Sequence, residues 1–102
     1  MNRGEVWWVD LPGGPRPYLI LTRQAAVPRL ERVLAVPATT TIRGIPTEVP
    51  LDRDDGMPNE CVLSLDNLDL IARSRFRNRI CNLRAERLQE VCSALGYAVD
   101  CS

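Results

Sequence analysis

The chain has neither a histidine nor a lysine among its 102 residues. Without histidine, the usual proton shuttle near neutral pH is missing, which excludes Ser–His–Asp and Cys–His nucleophilic centres and any histidine-based metal site. The four cysteines, Cys61, Cys81, Cys92 and Cys101, form no C-x-x-C pair, so no zinc ligand set is recognisable and no metal or cofactor is expected. P-loop, dinucleotide fingerprint and nucleophile elbow are all absent. No apolar run approaches the roughly 20 residues that span a bilayer. The opening Met1-Asn2-Arg3-Gly4-Glu5 leads into an alternating pattern rather than an apolar signal core. A cytoplasmic protein away from membranes is expected, its thiols reduced and Cys61, Cys81 and Cys92 acting as small buried hydrophobes.

What is present suits one globular domain over residues 1–102, with 45% apolar and 25% charged residues. All 13 basic residues are arginine, which fits either selection of a planar, bidentate fork for phosphate or a coding bias. The net charge is zero, but its distribution is uneven. Seven acids between Glu48 and Asp69 face only Arg53, whereas six arginines from Leu70 onward face Glu86, Glu90 and Asp100.

"GEVWWVDL" and "RPYLILTR" read as two strands joined by a glycine- and proline-rich turn, the second apolar enough to be buried on both faces. "LERVLAVPAT" supplies a third strand that Pro37 should end, "TEVPL" a fourth that Pro50 places at an edge, and "ECVLSLDN" a fifth. "TTTIRGI" and "DRDDGMPN" are expected loops, the acids of the latter solvated. "IARSRFRNRICNL" suggests a turn, then a strand. A C-terminal helix follows, capped by Asn82, stopped by Gly96 and burying Leu88, Val91, Cys92 and Leu95. The sum is a mainly β fold, a small bent barrel covered by one C-terminal helix.

In "GGPRPYLILT", Gly13 and Gly14 permit a tight turn while Pro15 and Pro17 restrict the backbone on both sides of Arg16. By itself, an arginine so held reads first as a solvated charge at a hairpin mouth. In order and spacing, "RGEVWWVDL", "RPYLILT", "VLAVPATTT", "CVLSLDNLDLI" and "NRICNLRAERLQEV" resemble the segments of the MazF/PemK family of toxin endoribonucleases across nearly the whole chain. The resemblance implies an SH3-like small barrel, metal-independent cleavage of single-stranded RNA, homodimerisation, and inhibition by a cognate MazE-like antitoxin. Two readings from other classes stand beside it: a non-enzymatic gyrase poison resembling CcdB, and an SH3-like peptide-binding module.

The resemblance assigns the catalytic arginine to Arg16 and the catalytic threonine to Thr39, with Thr40 and Thr41 leaving the register open by one. Asp66 aligns with an aspartate proposed to act in some relatives; a turn anchor is the equal alternative. Candidate RNA contacts are Thr40, Thr41 and Asn67 near these positions, and Arg43, Arg73, Arg75, Arg77 and Arg79 for phosphates. Trp7, Trp8 and Tyr18 are candidate stacking surfaces, although alternation sends Trp7 and Trp8 to opposite faces and at least one to the core. The 73–79 arginines have a second reading as partners of the acidic 48–69 region across a dimer. The loop before Arg16 is shorter than in many family members, which leaves RNA less enclosed and prevents transfer of a cleavage specificity.

Overall fold

β-branched and aromatic residues bounded by glycine and proline make the first hairpin. β1 (Glu5–Val9) and β2 (Arg16–Ile20) pair antiparallel, Val6 opposite Leu19 and Trp8 opposite Pro17. Between them Gly14 takes φ +111°, a left-handed conformation that glycine tolerates, and its N–H donates to the Leu11 carbonyl at 2.9 Å. The computed structural model describes residues 1–99, so Cys101 lies outside the described residues.

β3 (Arg32–Thr39) is the pivot of the sheet. Residues 35–37 pair with β2, and residues 32–35 pair with β6 (Asp69–Ala72). Its last two residues, Ala38 and Thr39, pair instead with β5 (Cys61–Ser64). β5 also pairs with β4 (Glu48–Leu51), and β1 with β7 (Phe76–Asn82). The order is β4-β5-β3-β2-β1-β7 with β6 beside β3, all antiparallel. This bent seven-stranded sheet has the expected barrel-like form, but among the described residues no ladder joins β4 to β7 and it stays open.

Alternation along the central strands feeds two cores. Leu19 and Val36 join Val6, Leu63, Leu65 and the helix α1 (Ala85–Val99) on one side; Tyr18, Ile20, Val33 and Ala35 join Val9, Ile71 and Phe76 on the other. β2 is therefore buried on both faces, as its apolar run implied.

Several local expectations are corrected. Pro37 does not end β3, which continues to Thr39; proline is tolerated there because the strand is exchanging β2 for β5 as its partner. Residues 69–72 form β6, too short to announce itself. Asn82 closes β7 rather than capping α1, which begins at Ala85 and runs past Gly96 to Val99. Val91 and Ala94 carry the helix's buried stripe, while Cys92 is exposed. The 52–59 acids are not all solvated. Asp52 and Asp55 form a reciprocal capping box around a 3-10 turn (Arg53–Asp55), and buried Asp55 accepts from Arg87 Nε at 3.0 Å.

Candidate active site

β2 and β3 both end at one groove. On the rung where Tyr18 faces Pro37, β2 is two residues from Arg16 and β3 two residues from Thr39. In strands, positions two apart share a face. Arg16, Tyr18, Pro37 and Thr39 accordingly line the same depression, which has a volume of about 610 Å³. Arg16 is exposed and takes part in no ion pair among the described residues, so its guanidinium is free to meet an anion.

Thr39 is the half-buried last residue of β3. Its Oγ1 accepts from the Thr41 N–H at 3.2 Å, which fixes the hydroxyl oxygen and leaves its proton to donate elsewhere. Thr41 also lines the groove, whereas Thr40 does not.

The opposite wall is the 40–47 loop, secured at its far end by two carboxylates. Glu48 Oε1 accepts from the N–H groups of Arg43 (3.0 Å) and Gly44 (2.9 Å), and Arg43 stands on the groove wall. Asp66 Oδ2 accepts from Thr47 Oγ1 at 2.7 Å, while Leu65 N–H donates to the Thr47 carbonyl at 2.9 Å. Asp66 is thus an anchor as well as a groove residue; its anchor point is the 40–47 loop. Asn67 donates to Ser64 Oγ at 2.7 Å, and both line the groove beside Asp69. Nothing in the sequence around Glu48 marks it as a clamp, because its partners are backbone N–H groups that every residue carries.

Tyr18 reaches the groove but is only 6% exposed, so its ring is core and offers no open face for stacking. Burial pushes its hydroxyl pKa up; Arg16 opposes that and Asp69 adds to it. Trp7 packs on the second core, edge-on to Phe76 at 6.5 Å, while half-buried Trp8 belongs to neither core.

The arginines of residues 73–79 do not line this groove. Arg77 Nε pairs with Asp10 at 2.6 Å and Arg79 Nη1 with Glu5 at 3.2 Å, partners on the first hairpin rather than in the 48–69 region. Arg75 donates to the Asp10 carbonyl at 3.2 Å and Arg73 Nε to that of Leu30 at 3.1 Å. Glu5 is itself buried. Burial alone would raise its pKa, but hydrogen bonds from Trp7, Asn2 and Arg79 outweigh burial and hold it below the ordinary carboxylate value.

The same fold recurs among known proteins. The chain is 43% identical over 102 residues to the probable endoribonuclease MazF5 of Mycobacterium tuberculosis, covering 98% of this chain and 94% of that protein. It is 39% identical to the probable endoribonuclease MazF2 of the same species, covering 99% of this chain and 100% of that protein. The solved Mycobacterium tuberculosis toxin MazF-mt6 superposes with a TM-score of 0.90 at 36% identity, covering 96% of this chain and 98% of that one. An endoribonuclease from a mycobacterial species, solved in complex with its cognate antitoxin, superposes at 0.92 with 26% identity, covering 100% and 97%. A family model described as PemK-like, MazF-like toxin of type II toxin-antitoxin system matches residues 2–99, and the chain belongs to that family.

Proposed function

We propose that this protein is the toxin of a type II toxin-antitoxin pair, an endoribonuclease that cuts single-stranded RNA in the Arg16–Thr39 groove and is neutralised by a cognate MazE-like antitoxin. The observation that carries the reading is the convergence of Arg16 and Thr39 on one open groove, in a chain matched to the toxin family over residues 2–99. The gyrase-poison and peptide-module readings are not favoured by these matches. The active form is a homodimer acting in the cytoplasm, and sedimentation at micromolar concentration checks the dimer.

The chemistry follows from the groups available. The ribose 2′-oxygen gives up its proton and attacks the adjacent phosphorus, the bond to the 5′-oxygen breaks as that oxygen takes a proton from solvent water, and the products are a 2′,3′-cyclic phosphate and a 5′-hydroxyl. Negative charge grows on the non-bridging oxygens in the transition state, where preorganised donors lower the barrier most. Arg16 supplies a permanent charge and several N–H donors, and Thr39 supplies a hydroxyl proton that its own acceptor role leaves free. Arg16 is a poor base, because a guanidinium has no free lone pair to accept a proton. Asp66 is the groove carboxylate assigned to accept the 2′-proton, using Oδ1 while Oδ2 holds Thr47. Arg43, Thr41 and Asn67 contact the RNA on either side.

The test is incubation of purified protein with a mixed-sequence RNA in excess chelator, followed by analysis of the new ends. Cyclic phosphate ends are expected, and an RNA carrying a 2′-methoxy group at the scissile position should resist. Cleavage that required added divalent metal, or that left the 2′-methoxy substrate unprotected, would overturn this mechanism.

A further inference from the structure

We propose that the RNA leaves the groove along a second, arginine-lined track over β6, so that the protein binds phosphates well beyond the cleavage site. This inference rests on the endoribonuclease reading above. Asp69, on the groove wall, also lines a hollow of about 370 Å³ with Leu70, Arg32 and Arg75. Arg32 and Ala72 are shared in turn with a hollow of about 600 Å³ lined by Arg29, Leu30, Arg73 and Ser74. The three depressions therefore adjoin. The β3–β6 ladder is the cause, since it sets Ala35 across from Asp69 and Arg32 across from Ala72, carrying the path from the groove to Arg73 along one short strand.

Charge selects the same path. Among the described residues, four of the thirteen arginines are ion-paired: Arg77, Arg79, Arg84 and Arg87. Of the nine others, six line these three depressions: Arg16 and Arg43, then Arg32 and Arg75, then Arg29 and Arg73. A guanidinium already neutralised by a carboxylate gains little from phosphate, whereas an unpaired one gains by releasing the RNA's counterions. Arg73 adds a second indication. Its Nη2 is shielded from solvent without a hydrogen-bond partner among the described residues, so an acceptor that draws the guanidinium outward satisfies that donor. Exposed Leu70 and Leu30 offer apolar surface to ribose and base faces along the way. Two acids lie on the path, Glu31 and Asp69, and Asp69 Oδ1 already accepts from the Leu70 N–H at 2.8 Å.

The experiment compares wild type with the Arg29→Gln, Arg32→Gln double variant, chosen because neither side chain makes a hydrogen bond to the described residues. Substrates share one cleavage site and are about 5 or about 16 nucleotides long, extended at either end, a span typical of single-strand grooves. For wild type, kcat/KM should favour the long RNA roughly tenfold, an advantage that falls below about threefold in the variant. The slope of log affinity against log salt for the long RNA should drop by about 1.4, roughly 0.7 for each lost phosphate contact on a single strand. Thermal melting verifies that the variant is folded. An unchanged long-to-short ratio and salt slope would overturn the track. So would loss of the ratio accompanied by dissociation in sedimentation, which would make this face an interface between copies of the chain. If wild type cleaves no RNA of either length, the endoribonuclease reading itself fails, an outcome distinct from equal cleavage of both lengths.

Discussion

Tyr18 stands across from Pro37 on the last rung of the β2–β3 ladder before the two strands part. Beyond that rung β3 turns to β5, where Thr39 pairs with Val62, while Arg16 is the residue at which β2 begins. The separation opens the groove, and the shared rung sets the relation of Arg16 to Thr39. Two buried residues thus align exposed Arg16 with half-buried Thr39.

Arg16→Ala and Thr39→Ala should each slow RNA cleavage by roughly two or more orders of magnitude, the usual effect of losing one transition-state donor. Both side chains lie at strand ends on the groove, so thermal stability should change by no more than about 1 kcal/mol. Arg16→Lys keeps the charge but loses the fork and should remain mostly inactive. A cleavage time course on a fluorescent RNA, with melts on the same preparations, decides the matter; a well-folded Arg16→Ala protein cutting at wild-type rate would refute the assignment.

Glu48 positions rather than reacts, since its carboxylate holds the N–H groups of Arg43 and Gly44. Glu48→Ala should free the 40–47 loop and raise KM several-fold, roughly the worth of one charge-assisted hydrogen bond, with a smaller fall in kcat. Glu48→Gln keeps an accepting oxygen and should recover most of the loss. Steady-state kinetics on all three proteins give the split, and an Ala variant with unchanged KM would remove the clamp from function.

The Asp55–Arg87 pair ties α1 to the 52–59 turn. The Asp55 side chain is 1% exposed, so Arg87→Ala leaves a buried carboxylate with only the Asp52 N–H and the Arg84 guanidinium at 3.9 Å, and should cost about 3 kcal/mol. Burial pushes the Asp55 pKa up, but the Arg87 hydrogen bond and those from Asp52 prevail and hold it below its unfolded value. Stability from this pair is therefore complete above about pH 4 and lost as pH falls through the folded value. Melting temperature measured from pH 7 downward should show an acid limb that flattens in Asp55→Asn; an identical limb in both proteins would place the acid sensitivity elsewhere.

Two glycines should answer oppositely to alanine. Gly56 sits at φ +99°, and an added Cβ would stand 2.6 Å from the Cys81 Cβ, so Gly56→Ala should destabilise by roughly 2 kcal/mol or more. Gly13 has open space and no left-handed φ, so Gly13→Ala should be within about 0.5 kcal/mol of wild type. Chemical denaturation of the pair measures both; equal effects would show that the Gly56 contact relaxes freely.

Much of the frame was legible in the sequence because it depends on rules acting over a few residues. Proline on either side constrains Arg16, glycine makes the turn before it, and a continuous apolar run marks β2 as buried on both faces. The helix's existence followed from its apolar period, although its ends did not: Asn82 was claimed by the β7 ladder, and Gly96 is carried within α1. Tertiary structure alone decided which charges remain available. Arg77 and Arg79 meet Asp10 and Glu5 across separations of 67 and 74 residues, and Arg87 meets Asp55 across 32. Such partners are chosen by ladder register and helix docking, which no local pattern encodes. The same register brought Thr39, at the end of β3, onto the groove beside Arg16, and among the described residues neither Arg16 nor Arg43 forms an ion pair.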